Sequence, residues 1–196
     1  LRRQRQMCIR DRQPRTGEIL AMASMPAYDP NWFVNGIDPN LWNQLLNDED
    51  HPLENKIVQG VYPPGSIFKL VTAYAALDQQ LIEPNHEETC NGYFYVKGRR
   101  APFKCWKSGG HGSADLIESI RGSCNIYFYQ LAMEMGVDKL AHYAMMIMFG
   151  EKFDLGFAGE KAGLFPDSDW KKIRLSRLDF SIGPIGPIGN RLLVLG

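Results

Sequence analysis

The chain has 196 residues, of which 44% are hydrophobic and 22% charged, the balance of a globular protein with one core, so one domain or a large part of one is expected. Its 22 basic residues match its 22 acidic ones, which leaves no net charge to attract a nucleic acid or an acidic lipid surface. No apolar run approaches the roughly 18 residues a membrane helix needs, and "LRRQRQMCIRDRQPRTG" lacks the apolar stretch of a signal peptide.

Residues 1–12 have neither a period of two nor one of 3.6 and are expected to be foreign or disordered. "GEILAMAS" predicts a strand that runs into the turn chemistry of "MPAYDPN". "NLWNQLLNDE" carries helical spacing, and "HPLENKIVQGVYPPG" is an irregular connection closed by Pro63, Pro64 and Gly65. From Ser66, in the capping position, "SIFKLVTAYAALDQQ" predicts a helix with an apolar stripe at Ile67, Leu70, Val71, Tyr74 and Leu77. "EPNHEETCNGYFYVKGRRAPFKCWKSGGHG" reads as a long loop with a short hairpin, a length that usually has a job or a tether. Helices resume with "SADLIESIRG", capped by Ser113, then "NIYFYQLAMEMG" and "VDKLAHYAMMIMFG". Residues 184–196 form an atypical tail whose Ile-Gly-Pro repeat suits neither helix nor ladder.

Ser66 and Lys69 stand three residues apart, so a helix places them on one face. A serine hydroxyl is a poor nucleophile until a base takes its proton, and a lysine can be that base when burial keeps it neutral. A helix N-terminus beside the serine would favour a developing oxyanion. Ser66 also fits an ordinary cap. "RGSCNIYFYQ" then offers Ser123 and Asn125 at a sharp connection between two helices, where a hydroxyl and a carboxamide could face a shared cleft. Ser-x-x-Lys followed by a Ser-x-Asn element is the order found in penicillin-binding proteins and class A β-lactamases.

The blocks "TGEILAMASMPAYDPNWFVNGI", "NKIVQGVYPPGSIFKL", "GHG", "SCNIYFYQLAMEMGVDKL" and "GEKAGLFPDSDWK" resemble the transpeptidase domain of the penicillin-binding protein 2 family, class B enzymes of rod-shape cell-wall elongation. The resemblance covers about residues 14 to 183, and residues 13–183 are expected to be a partial transpeptidase domain. It implies an α/β (α+β) fold of the serine D,D-peptidase and β-lactamase type, here mainly its first strand and helical subdomain. It further implies that Ser66 is acylated, that Lys69 is its general base, and that Ser123 and Asn125 relay the proton to the leaving D-alanine and hold the stem peptide. The implied activity is peptidoglycan D,D-transpeptidation on D-alanyl-D-alanine stems, without a cofactor for the chemistry and with β-lactams as inhibitors. The implied setting is the periplasmic face of the bacterial inner membrane, with a glycan-polymerising membrane protein as partner and no nucleic acid. The third family motif, Lys-Thr-Gly or Lys-Ser-Gly after the second, is not found here; Lys107-Ser108-Gly109 precedes Ser123 and reads as coincidence. Two alternatives follow: a non-catalytic fragment or pseudoenzyme that binds partners or peptidoglycan, and a serine β-lactamase.

Cys90, Cys105, His111 and Cys124 make up a Cys₃His set, the ligand count of a structural zinc. Such a metal would staple the long loop to the Ser123–Asn125 connection. A Cys90–Cys105 disulfide and separately buried thiols are the competing arrangements. His51, His86 and His142 stand alone, and Asp115 and Glu118 are expected to be a solvated pair on a helix face.

Overall fold

Proline at the first helical position and an aspartate just before it start a helix cheaply, because neither the missing N–H nor the aspartate oxygen leaves an amide unpaired. Helix α1 (Pro39–Asn47) begins this way: Asp38 Oδ1 accepts from Asn40 N at 2.9 Å and Leu41 N at 3.1 Å. The computed structural model describes residues 8–170 and 172. Strand β2 (Ile19–Ser24) is the strand expected from "GEILAMAS", and it pairs antiparallel with β1 (Cys8–Arg12). Residues 8–12 have their backbone paired in this strand even though their side chains lack a buried face, and side-chain periodicity does not report such pairing. The expected tail from residue 184 onward lies outside the described residues. Ser24 ends β2 by donating to Glu54 O (3.2 Å) and accepting from Lys56 N (3.0 Å), which pins the irregular connection back onto the strand. These elements, with residues 152–162, make up the first of two compact units; the second runs from Tyr62 to Glu151 and resumes at Gly163.

The second unit is helical, with α2 (Phe68–Asp78), α3 (Leu116–Arg121), α4 (Asn125–Met135) and α5 (Val137–Met146). α2 packs on both α4 and α5. Ala75, Ala76 and Ala144 are fully covered, and such small side chains let helix backbones approach closely. Tyr127, Leu131 and Leu140 complete the centre, each side chain contributing about 1.5–3 kcal/mol by burial. Phe68 stacks on Phe165 and meets Phe149 edge-on.

Two expectations about the helices need correcting. The buried face of α2 is Phe68, Lys69, Val71, Thr72, Ala73, Ala75 and Ala76, whereas Ile67 and Leu70 of the predicted stripe are 71% and 55% exposed. The helix is apolar nearly all round, so spacing alone could not tell which face the small residues would claim. Ser113 does not cap α3: it lies in β6 (Gly112–Ala114) and donates to Glu87 Oε2 at 2.6 Å. The cap is Asp115, whose Oδ1 accepts from Glu118 N at 2.8 Å, so this carboxylate is not merely solvated.

The long loop is a nested pair of hairpins. β3 (Glu88–Cys90) pairs with β6, and inside them β4 (Tyr93–Phe94) pairs with β5 (Phe103–Lys104). Gly110 closes the nest at φ +81°, and a Cβ there would stand 2.1 Å from Cys90 O, so no other residue fits. Phe94 and Phe103 set the inner hairpin against Tyr129 of α4.

Candidate active site

The Ser66 region does not start as a capped α-helix. Pro63 and Pro64 rigidify the approach, Gly65 turns at φ +60°, and residues Gly65–Ile67 form a 3₁₀ turn that leads into α2. Ser66 makes no capping bond; its hydroxyl is free to point sideways and lies 2.8 Å from Ser123 Oγ. Lys69, one turn on, reaches Ser66 Oγ at 3.4 Å and Ser123 Oγ at 2.9 Å. Its ammonium also donates to Ser123 O at 2.8 Å and to Asn125 Oδ1 at 2.7 Å. Asn125 is oriented in turn by Lys104, whose carbonyl accepts from Asn125 Nδ2 at 3.2 Å.

Ser123 meets the other two because the α3–α4 connection is bent. Gly122 ends α3, and Ser123 adopts φ +49°, a left-handed backbone that few non-glycine residues take. The bend turns both its hydroxyl and its carbonyl towards Lys69.

Lys69 is only 8% exposed, and no carboxylate is among its partners. Burial lowers its pKa below the usual 10.5, with Cys105 and Cys124 pulling weakly the other way. Two N–H donors can stay on Ser123 O and Asn125 Oδ1 when the amine is neutral, and its lone pair then faces the two hydroxyls. Chemically, the arrangement can take a proton from Ser66, directly or through Ser123, and return it to a leaving group.

Behind this triangle lies the cysteine cluster. The thiols of Cys90, Cys105 and Cys124 and a ring nitrogen of His111 all lie within 4.8 Å of one another. His111 Nδ1 faces the thiols, 3.5 Å from Cys105 Sγ and 3.7 Å from Cys90 Sγ. Cys90, Cys105 and Cys124 are free thiols in this structure. Burial pushes the Cys124 thiol up to about 12. Cys105 moves down: burial raises it, but the amides of Asn125, Lys107 and Ile126, with Cys90, outweigh that. Three sulfurs and one nitrogen converging in a buried space fit a tetrahedral metal, whose ligand bonds of roughly 2.0–2.3 Å put the donors at about this separation.

Residues 12–189 match the penicillin binding protein transpeptidase domain. The chain belongs to the penicillin-binding protein transpeptidase family. The peptidoglycan D,D-transpeptidase MrdA of Acinetobacter baumannii is 40% identical over 158 residues, which is 81% of this chain and 24% of that protein. PBP2 of Pseudomonas aeruginosa, solved in complex with WCK 5153, superimposes with a TM-score of 0.81 at 34% identity over 98% of this chain and 42% of that one. A structure described as coordinating polymerization and crosslinking in a peptidoglycan synthase complex gives a TM-score of 0.74 at 36% identity, covering 96% of this chain and 31% of that one. The chain thus spans about a quarter of the length of the curated relatives it matches. The resemblance to penicillin-binding protein 2 and the α/β class are borne out.

Within the penicillin-binding fold, the structure brings together Ser66, Lys69, Ser123 and Asn125, and separately Cys90, Cys105, His111 and Cys124. His86 instead pairs with Glu88, and His142 lies edge-on to Tyr143. Lys107-Ser108-Gly109 is a turn, closed by Gly110 N donating to Lys107 O, and not a strand. Two participants escaped the sequence reading. The Lys104 carbonyl acts through its backbone, which no side-chain pattern reports. Trp106, whose indole N–H donates to Gly122 O and Ser123 O, sits between a candidate ligand and a lysine, with no spacing to mark it. No helix among the described residues is long and apolar enough to cross a membrane.

Proposed function

We propose that this protein is a peptidoglycan D,D-transpeptidase that works through a serine acyl-enzyme. The observation that carries the reading is the triangle of Ser66 Oγ, Ser123 Oγ and Lys69 Nζ around a lysine whose pKa is lowered by burial. Lys69 takes the Ser66 proton as Oγ attacks the penultimate D-alanine carbonyl of a stem peptide. Collapse of the tetrahedral adduct breaks the terminal peptide bond, and the proton returns through Ser123 to the departing D-alanine. A side-chain amine of a neighbouring stem then attacks the ester, forming the cross-link and freeing Ser66. Asn125 holds Lys69 in line and supplies a polar contact for the stem. β-Lactams enter by the same first step and remain bound.

The family setting extends the proposal. The enzyme would face the periplasm from the inner membrane and work beside a glycan-polymerising membrane protein; the likeness to a peptidoglycan synthase complex that coordinates polymerization and crosslinking supports the partner. Cys90, Cys105, His111 and Cys124 would hold a structural zinc that fixes the nested hairpins and the Ser123–Asn125 connection, without entering the chemistry. Metal analysis of the purified protein should return one zinc per chain.

Intact-mass analysis of the full-length protein with a fluorescent penicillin tests the central claim. A long-lived adduct that disappears in Ser66→Ala supports it; no adduct on a folded protein leaves the non-catalytic alternative. An adduct hydrolysed within seconds points to a β-lactamase. Against that, the hydrogen-bond partners of Ser66 and Lys69 described above are all neutral oxygens, and none is a carboxylate to activate water.

A further inference from the structure

We propose that Trp106 is a positioning residue for acyl transfer, its indole N–H holding the Gly122–Ser123 bend in the shape that aims Ser123 at both Ser66 and Lys69. The proposal rests on the acyl-enzyme reading above. Trp106 Nε1 donates to Gly122 O at 3.0 Å and to Ser123 O at 3.1 Å. These are two successive carbonyls at the end of α3, where a helix leaves its oxygens without partners. The amides of the same bend are already used: Gly122 N donates to Glu118 O, Ser123 N to Ile120 O and Cys124 N to Ser119 O.

Ser123 O therefore receives two donors, Trp106 Nε1 from the loop and Lys69 Nζ from α2. One oxygen ties the general base to the indole. Holding a non-glycine residue at φ +49° requires outside support, and strained backbone of this kind persists only where its surroundings fix it. Trp106 supplies that support from the exposed side. Its ring is steadied by an edge contact with His111 at 5.6 Å between centroids, and His111 presses close on Gly122, where an added Cβ would meet its ring at 3.1 Å.

Trp106 is 67% exposed, so the indole buries little apolar surface and its two hydrogen bonds are its main attachment to the fold. Removing the N–H should therefore change the aim of Ser123 far more than the stability of the domain. A tryptophan serving only to pack would show the reverse.

The test replaces Trp106 in the full-length protein by Phe, and by 3-benzothienylalanine, which keeps the indole shape and substitutes sulfur for N–H. Fluorescent-penicillin kinetics then separate the non-covalent dissociation constant from the acylation rate. The acylation rate is expected to fall roughly tenfold or more in both variants, with the dissociation constant changed by less than about twofold and the melting temperature by less than about 2 °C. An unchanged acylation rate in the benzothienyl variant overturns the proposal. So does a loss confined to the dissociation constant. If the wild type itself fails to acylate, the function reading falls and crystal structures decide Trp106 alone. A Ser66 Oγ–Ser123 Oγ distance that lengthens in the benzothienyl variant upholds positioning, and one that stays at hydrogen-bond length rejects it.

Discussion

The Ser66–Lys69 pair and the cysteine–histidine cluster both meet the same short connection, residues 123–125, and they are assembled in different ways. The pair is local: a separation of three residues on a turn and a helix puts the two side chains on one face, where they meet at 3.4 Å. The cluster is long-range: its members run from Cys90 to Cys124 and meet only when the nested hairpins close. The pair is built by helix geometry, which tolerates change elsewhere. The cluster is built by chain closure, which any of several steps can undo. Because Cys124 lies between Ser123 and Asn125, the second assembly is tied to the same connection that the first one contacts.

The comparison is broken most severely at Lys69. Lys69→Met keeps the length and burial of the side chain but removes the base, so acylation by penicillin should fall by about 10²–10⁴-fold, measured by stopped-flow fluorescence. A pH profile sharpens the point. Burial lowers the Lys69 pKa, and the neutral amine is the active form, so the acylation rate should rise with pH and level off below pH 10.5, losing about tenfold per unit on the acid side. The stability effect has the same sign. Between the folded and unfolded pKa the unfolded chain binds more protons, so stability gains as pH rises through that window. A profile flat across it would mean that Lys69 is not the base.

The cluster should respond as a unit. Cys124→Ala, or a strong chelator applied to the wild type, should lower the melting temperature by about 5 °C or more, as read by calorimetry. Combining the two should add little, since both remove the same staple. If chelation slows acylation as well, the two assemblies are energetically coupled through residues 123–125; if it only lowers the melting temperature, they are separable. The smallest effect belongs to Asp115→Ala, which removes the α3 cap and should cost about 1 kcal/mol in chemical denaturation, with acylation unchanged.

The same contrast explains what could be read in advance. Ser66, Lys69, Ser123 and Asn125 were legible because short spacings and the residue types of the chemistry coincide. The cluster was legible only as a ligand count; the spacing could not choose between metal, disulfide and isolated thiols, since that depends on how β3 to β6 nest. The face of α2 was misread because its apolar residues surround the helix and the burial decision was made by alanines, whose small size counts for little in a hydrophobic stripe. Ser113 looked like a cap from its place before "ADLIES", but Asp115 stands closer to the first helical residue and its carboxylate reaches Glu118 N. Strand β1 had nothing to announce it, because pairing with β2 is made by backbone groups common to every residue.

The left-handed backbone of Ser123 limits which sequences this site can explore. Threonine offers the same hydroxyl, and at most surface positions the two are exchanged freely. Here a second substituent on Cβ would crowd a backbone already turned past φ = 0, and a β-branched residue is a genuine outlier in that region. The proposed proton relay therefore has an alphabet of one letter: natural variation can reshape the walls around it, but the hydroxyl at 123 must stay on a serine.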